Sequence, residues 1–357
     1  MSSDQWGQWG LWSTGSLLVL AIASAWLMPA NWRSQITGAL VALMGVAGAV
    51  TGVAVIAGKS VTADVQMSLP MPALTIAPDA LGGFFIVVIG LVGAVTACFA
   101  MGYARHSPAG SSVMWTAFAG LVASLLLVPA CADAVSFLCA WELMALTSAV
   151  LVFAEQRTRS EVRSAGVWFM VMAHASFLLL LLGFALLVAG ADSTSFADIA
   201  SAPRSSTAAG WAFALLALGF AAKAGIVPLH VWLPRAHPAA PSHVSALMSA
   251  ALVKLGVYGM LLVTLRLLPD GPSWQGMVLM LFGGISALFG VLQASVATDL
   301  KRLLAYSTTE NVGLMFLMVG AASLLASRGV SDVAGVAAVA CLLLVAGHAA
   351  FKTAAFL

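Results

Sequence analysis

Runs of about 20 apolar residues follow one another along this chain with only short polar breaks, and that pattern leaves few folds open. About eleven such stretches can be placed, near residues 11–28, 36–58, 81–103, 112–130, 132–153, 165–190, 208–226, 243–268, 274–297, 303–325 and 333–357. As a helix, each is long enough to cross a hydrocarbon core about 30 Å thick. The chain is 62% hydrophobic and 8% charged, where a soluble domain is about a quarter charged. The expected fold class is therefore all-α: a polytopic membrane helix bundle of about 11 transmembrane helices. Many stretches carry more Gly and Ala than Leu, which suits close helix–helix packing in lipid.

The start, MSSDQWGQWGLWSTGS, has no positive n-region and no small-residue cleavage site, so it reads as an interfacial anchor leading into the first span. Loop charges orient the bundle. One side's loops hold Arg33, Arg105, Arg157, Arg159, Arg163, Arg235, Lys301 and Arg302; the other side's hold Lys59, Arg204, Arg266 and Arg328. The richer side is expected to be cytoplasmic, which puts the N-terminus outside the cell and the protein in the plasma (inner) membrane. The last stretch ends at Leu357 with no polar tail and reads as a chain cut short.

The four cysteines, Cys98, Cys131, Cys139 and Cys341, sit in apolar runs without CxxC spacing and read as small buried side chains. No phosphate loop, dinucleotide fingerprint or HExxH motif occurs. The chain is expected to hold no cofactor and no metal, so any electron transfer belongs to a partner. No nucleic-acid partner is expected.

Ionisable residues within the apolar stretches are few and expensive, at about 2.5–3.5 kcal/mol each on insertion scales. The densest group lies in KAGIVPLHVWLPRAHPAAPSHVSALMSAALVKLGVY over residues 223–258. Lys223 closes an apolar run. Pro228 cannot donate the hydrogen bond that the carbonyl of Ala224 would receive, so the helix should break just past the lysine, with Pro234 extending the break. A lysine beside freed carbonyls and water can titrate; the plainer reading is a structural ion pair. Lys254, with Tyr258 one turn on, either passes a proton along the bilayer plane or pairs with an acid. Glu142, in LCAWELMALTSAV, is either a protonated helix–helix hydrogen-bond donor or a carboxylate whose charge depends on a nearby lysine.

His348 and Lys352 stand four residues apart on one helix face, as a proton-transfer pair or with Lys352 snorkelling from a helix end. His174 in VMAHASFLL reads as a packing histidine before a relay member. His230, His237 and His243 flank the proline-rich break, and their irregular spacing disfavours a zinc site. Asp133 and Glu310 lie near span ends and are weak candidates.

The 223–258 motif closely resembles the antiporter-like subunits of respiratory complex I, group 4 membrane hydrogenases and multisubunit sodium/proton antiporters. Trp141-Glu142, DLKRLLAYSTTENVG at 299–313 and HAAFKTAAFL at 348–357 share the resemblance, whose wording is most like the hydrogenase-4 type. The resemblance implies an inverted-repeat core with a broken helix near 208–239. On that basis residues 1–79 form N-terminal transmembrane helices, 80–268 the antiporter-like core with the first repeat, and 269–357 the start of an incomplete second repeat. It implies that Glu142 is the switch acid, Lys223 the broken-helix lysine, Lys254 the connecting lysine, and His348 with Lys352 the central relay pair. His174, His230, His243 and Tyr258 are secondary candidates. The implied partners are other membrane-arm subunits and soluble hydrogenase or dehydrogenase subunits, with protons as cargo. A sodium/proton antiporter subunit and a non-pumping membrane scaffold are the alternatives.

Overall fold

A computed structural model describes residues 5–65, 74–106, 110–154, 160–269 and 271–357. Arg157 and Arg159, which belong to the loop charges of the richer side, lie outside the described residues. Among those described, eleven helices are long and apolar enough to cross a membrane, and the chain is a multi-pass membrane protein.

The chain forms two compact units, one of residues 1–170, 239–251 and 353–357, the other of 171–238 and 252–352. The first contains α1 (Gln5–Leu27), α2 (Ala30–Ile56), α3 (Ala80–Tyr103), α4 (Ser112–Leu127) and α5 (Ala134–Val152). Between α2 and α3 the chain makes a small antiparallel hairpin, β1 (Ala63–Val65) and β2 (Leu74–Ile76), with Ala63 opposite Ile76. Three-residue strands give no readable alternation, so composition and period could not reveal them. The hairpin is stitched to the α4–α5 junction: Ser136 Oγ accepts from Thr75 N at 3.0 Å, and Ala132 N donates to Thr75 O at 3.1 Å.

The helix starts account for several loop aspartates. Asp79 Oδ1 accepts from Gly82 N at 2.7 Å. Asp133 Oδ1 accepts from Val135 N and Ser136 N, both at 2.9 Å. Asp299 Oδ1 accepts from Arg302 N at 2.8 Å. These side chains satisfy first-turn N–H groups that have no partner within the helix, and they favour the positive end of its dipole. Asp133 therefore caps α5.

Helix α6 (Ser160–Ala191) begins in the first unit and continues in the second, which also holds α7 (Phe196–Ser201), α8 (Ser206–Ala224) and most of α9 (Leu233–Ala239). The next span, residues 242–267, starts as α10 (Ser242–Leu247), passes through a π-turn (Met248–Leu252), continues as α11 (Val253–Leu262) and ends in a second π-turn (Val263–Leu267). Its most apolar 18-residue window is wholly buried. Three long helices complete the chain: α12 (Ser273–Val296), α13 (Leu300–Ala326) and α14 (Ser331–Phe356).

Glycines seven residues apart set the tightest seams. A Cβ placed on Gly276 or Gly283 of α12 would lie 2.6 Å from the carbonyl oxygen of Gly320, or 2.7 Å from that of Gly313, on α13. In the first unit, Gly45 and Gly52 of α2 face Gly90 and Gly83 of α3 in the same way. Antiparallel helices with a seven-residue small-residue repeat can bring backbones together in a way no side chain would allow.

Candidate functional site

The helix carrying Lys223 ends one residue later. Gly225 takes the left-handed conformation, φ +80 and ψ 38, which costs a glycine little. Its N–H and that of Ile226 both reach Ala221 O, at 2.9 and 3.0 Å. Trp232 Nε1 donates to Ala222 O at 2.9 Å, and Val227 N donates to Ser286 Oγ on α12 at 2.9 Å. The open end of the helix is thus satisfied by protein groups. The break falls at Gly225, three residues before Pro228, and Pro234 sits in the first turn of α9, where a missing N–H is tolerated.

Lys223 is buried, 2% exposed, in the last turn of α8, where its charge complements the carbonyl end of the helix dipole. Helix α11 runs against α8 at backbone contact: a Cβ on Gly256 would lie 2.6 Å from Phe220 O. Lys254 stands half a turn before that glycine, two residues past the end of the first π-turn, and is 1% exposed. π-turns recur at functional sites because they redirect side chains within a helix. Tyr258, one turn further, is also buried.

From α14, His348 and Lys352 join Lys254. Lys254 Nζ is hydrogen-bonded to His348 Nδ1. Lys352 Nζ donates to Leu304 O of α13 at 2.7 Å, and the edge of the His348 ring meets Phe351 at 4.9 Å. His348 and Lys352 are both 0% exposed, although most of α14 is not buried within the chain. The charged face of this helix therefore points inward. An imidazole bonded to one amine, with a second amine one turn away on its own helix, is an arrangement along which a proton can move between nitrogen bases. Which ring nitrogen of His348 carries hydrogen fixes the direction of the Lys254 bond.

Glu142 is half-buried on α5 in the first unit, next to the fully buried Trp141. His243, 3% exposed, is held by the ring edges of Tyr103 and Phe118, at 5.5 and 5.3 Å between centroids. His237 is buried on α9 and His174 is half-buried on α6. His230, in the connection between spans, has its ring 4.8 Å from that of Phe289. Burial pushes its pKa below the ordinary 6.5, against a backbone hydrogen bond at Pro228 that raises it.

The sequence reading missed Trp232, Ser286 and the Leu304 carbonyl. A tryptophan and a serine in apolar runs read as core, and no residue type marks a carbonyl that will receive an ammonium.

A broken helix ending in a buried lysine, beside a buried lysine–histidine–lysine group, defines an antiporter-like membrane protein. Residues 131–357 match the family described as NADH:quinone oxidoreductase/Mrp antiporter, transmembrane, and the chain belongs to that family. It is 48% identical over 320 residues to an uncharacterised protein of Mycobacterium tuberculosis H37Rv, covering 90% of this chain and 49% of the relative. It is 38% identical over 304 residues to hydrogenase-4 component B of Escherichia coli K12, covering 84% of this chain and 45% of the relative. The chain thus spans about half the length of these curated relatives. Among solved structures, the Mrp complex from Dietzia sp. DQ12-45-1b superposes with a TM-score of 0.79 at 25% identity, over 96% of this chain and 37% of the other. An archaeal membrane-bound sulfane sulfur reductase gives 0.74 at 23% identity, over 93% of this chain and 55% of the other, a likeness of fold.

Proposed function

We propose that this chain carries protons in a membrane-bound oxidoreductase complex of the hydrogenase or NADH-dehydrogenase kind, driven by redox chemistry in partner subunits. The observation that carries the reading is the water-excluded group of Lys254, His348 and Lys352. Three bases held together in a bilayer-spanning bundle are costly, and such groups mark ion and proton pathways. Lys254 exchanges a proton with His348, and His348 with Lys352. Lys223 supplies Lys254 from the neighbouring helix, and Glu142 is the acid whose charge sets the protonation of the broken-helix lysine. The partners are other membrane-arm subunits and a soluble hydrogenase or dehydrogenase. The chain sits in the plasma membrane with its N-terminus outside.

The test is proton transport by the assembled complex in proteoliposomes. Lys223→Ala and Lys254→Ala should each lower redox-driven transport by about 10²-fold, the scale of a lost proton-transfer group, while the complex still assembles. Unchanged transport in both variants would sink the reading. The family's description, which includes an antiporter, favours sodium/proton exchange as a second reading. Sodium seeks several oxygen ligands, whereas this group presents nitrogens; a requirement for sodium in the same assay would decide for exchange.

A further inference from the structure

Helices α1 and α4 run antiparallel, pinned at one end where Trp26 Nε1 donates to Thr116 Oγ1 at 3.0 Å. Toward the other end they part around a cavity of about 210 Å³ that lies within the first unit. Leu11, Gly15 and Leu18 of α1 wall it on one side, and Ala123 of α4 with Ala130 just past its end on another. The chain entering the β1–β2 hairpin closes the end nearest the start of α1, through Val61 and Ala63. Gln8 Nε2 ties that start to the same segment by donating to Thr62 O at 3.3 Å. Trp12 and Gly15 are exposed, and a Cβ on Gly15 would meet nothing within 4 Å. The cavity therefore opens sideways along α1.

The walls are apolar. The two hydroxyls among them are bonded within their own helices, Thr14 Oγ1 donating to Gly10 O at 2.8 Å and Thr51 Oγ1 to Ala47 O at 2.9 Å. A cavity without polar partners does not hold water, and left empty it forfeits packing. Trp9 and Trp12, 63% and 59% exposed, mark the interfacial belt of the membrane. From Leu11 to Leu18 the cavity runs about 10 Å down the helix, into a leaflet whose hydrocarbon is about 15 Å deep. What lies along the opening is thus the acyl chains of the bilayer. A cation stands at the rim. Val61, Ala63 and Val65 line the cavity while Thr62 and Asp64 between them are exposed, so alternate residues face inward. Lys59 is the next position back in that alternation and is half-buried, as a stem laid along apolar surface with its ammonium at the water edge would be. Of the carboxylates nearby in sequence, Asp64 falls on the outward side of that alternation and Asp79 caps α3.

We propose that this cavity is a phospholipid site: one acyl chain enters between α1 and α4, and the phosphate of the same lipid meets the Lys59 ammonium. The chain supplies the contacts that the two helices do not give each other around Gly15. It so completes the packing of α1, whose most apolar window is only 22% buried within the protein. The charge at the rim selects a phospholipid over a bare hydrocarbon or an apolar helix of a partner subunit. The site does not depend on the proton-carrying reading of the chain.

The experiment places the assembled complex in nanodiscs of phosphatidylethanolamine that contain a phosphatidylglycerol with a photoactivatable diazirine on its acyl chain, and maps the labelled peptides by mass spectrometry. Peptides holding residues 11–18 and 123–130 should be labelled. Gly15→Leu, which fills the open space, should lower that labelling about tenfold, the effect of displacing roughly two methylene groups. Lys59→Gln should lower it about fivefold, the effect of one lysine at an anionic lipid surface. If Gly15→Leu fails to assemble, Ala123→Leu fills the cavity from the α4 side and decides in its place. Unlabelled α1 and α4 in the unaltered complex would overturn the site, and a crosslink there to a partner subunit would show what fills it instead. Labelling unchanged by the filling variant would mean that chains only brush the outer surface, and would overturn it as well. Loss in the filling variant without loss in Lys59→Gln would mean that hydrocarbon enters without its headgroup, and would overturn the phospholipid assignment.

Discussion

Basic side chains in this protein find carbonyls at places the sequence does not mark, and Arg204 is the clearest case. Its guanidinium donates to Leu267 O at 3.2 Å, where the 242–267 span ends, and also to Ile199 O of α7. In the sequence it counts as one loop charge among several, because its partner carbonyl lies 63 residues away. Arg204→Ala should lower thermal stability in detergent by about 1–3 kcal/mol, the cost of leaving such groups unmet. Arg204→Lys should recover only part, since one ammonium lacks the planar fork that serves two carbonyls at once. An unchanged melting temperature for Arg204→Ala would show that the two carbonyls are met in another way. Lys352 follows the same rule. Its spacing from His348 is plain in the sequence, but Leu304 as its acceptor depends on how α14 packs on α13.

At the level of helices, a break just past Lys223 was legible and the residue that makes it was not. Proline announces that a helix cannot continue, but Gly225 three residues earlier ends it first, because the left-handed turn also lets two N–H groups share Ala221 O. Gly225→Ala should cost about 1–2 kcal/mol for the left-handed backbone alone. Crowding adds to this, since the new Cβ would lie 2.6 Å from Leu233 Cδ1. Gly225→Asn should be milder on the backbone count. The glycine seams were legible only as small-residue richness. Gly283→Leu should destabilise the chain by about 1–3 kcal/mol or more, because backbone and not a movable side chain opposes it. Thermal unfolding of both variants in detergent checks these figures, and wild-type behaviour of Gly283→Leu would show that α12 and α13 can part freely.

For the whole molecule, tryptophan placement gives a direct reading of what faces lipid. Trp9, Trp26, Trp32 and Trp211 are about 60% exposed, while Trp115, Trp141 and Trp232 are at most 2% exposed. Brominated lipids should therefore quench a substantial part of the fluorescence and leave a protected remainder. Replacing Trp115, Trp141 and Trp232 by Phe should remove that remainder, and full quenching of the unaltered protein would contradict the buried placements. The proposed orientation predicts that a cysteine at Arg328 reacts with an impermeant thiol reagent from outside the cell and one at Arg302 does not. The reverse pattern would invert the topology.

Composition and the spacing of apolar runs were enough to determine a multi-pass all-helical membrane protein with eleven spans, because hydrocarbon forces every spanning backbone to satisfy its own hydrogen bonds. They also flagged the few ionisable residues that such spans should not contain. Tertiary structure alone decided that Lys254 meets His348, 94 residues further on, and that Ala222 O is answered by Trp232. Those outcomes turn on which helix faces meet. Faces are chosen by close packing between distant segments, and a periodic apolar pattern carries no record of its partner.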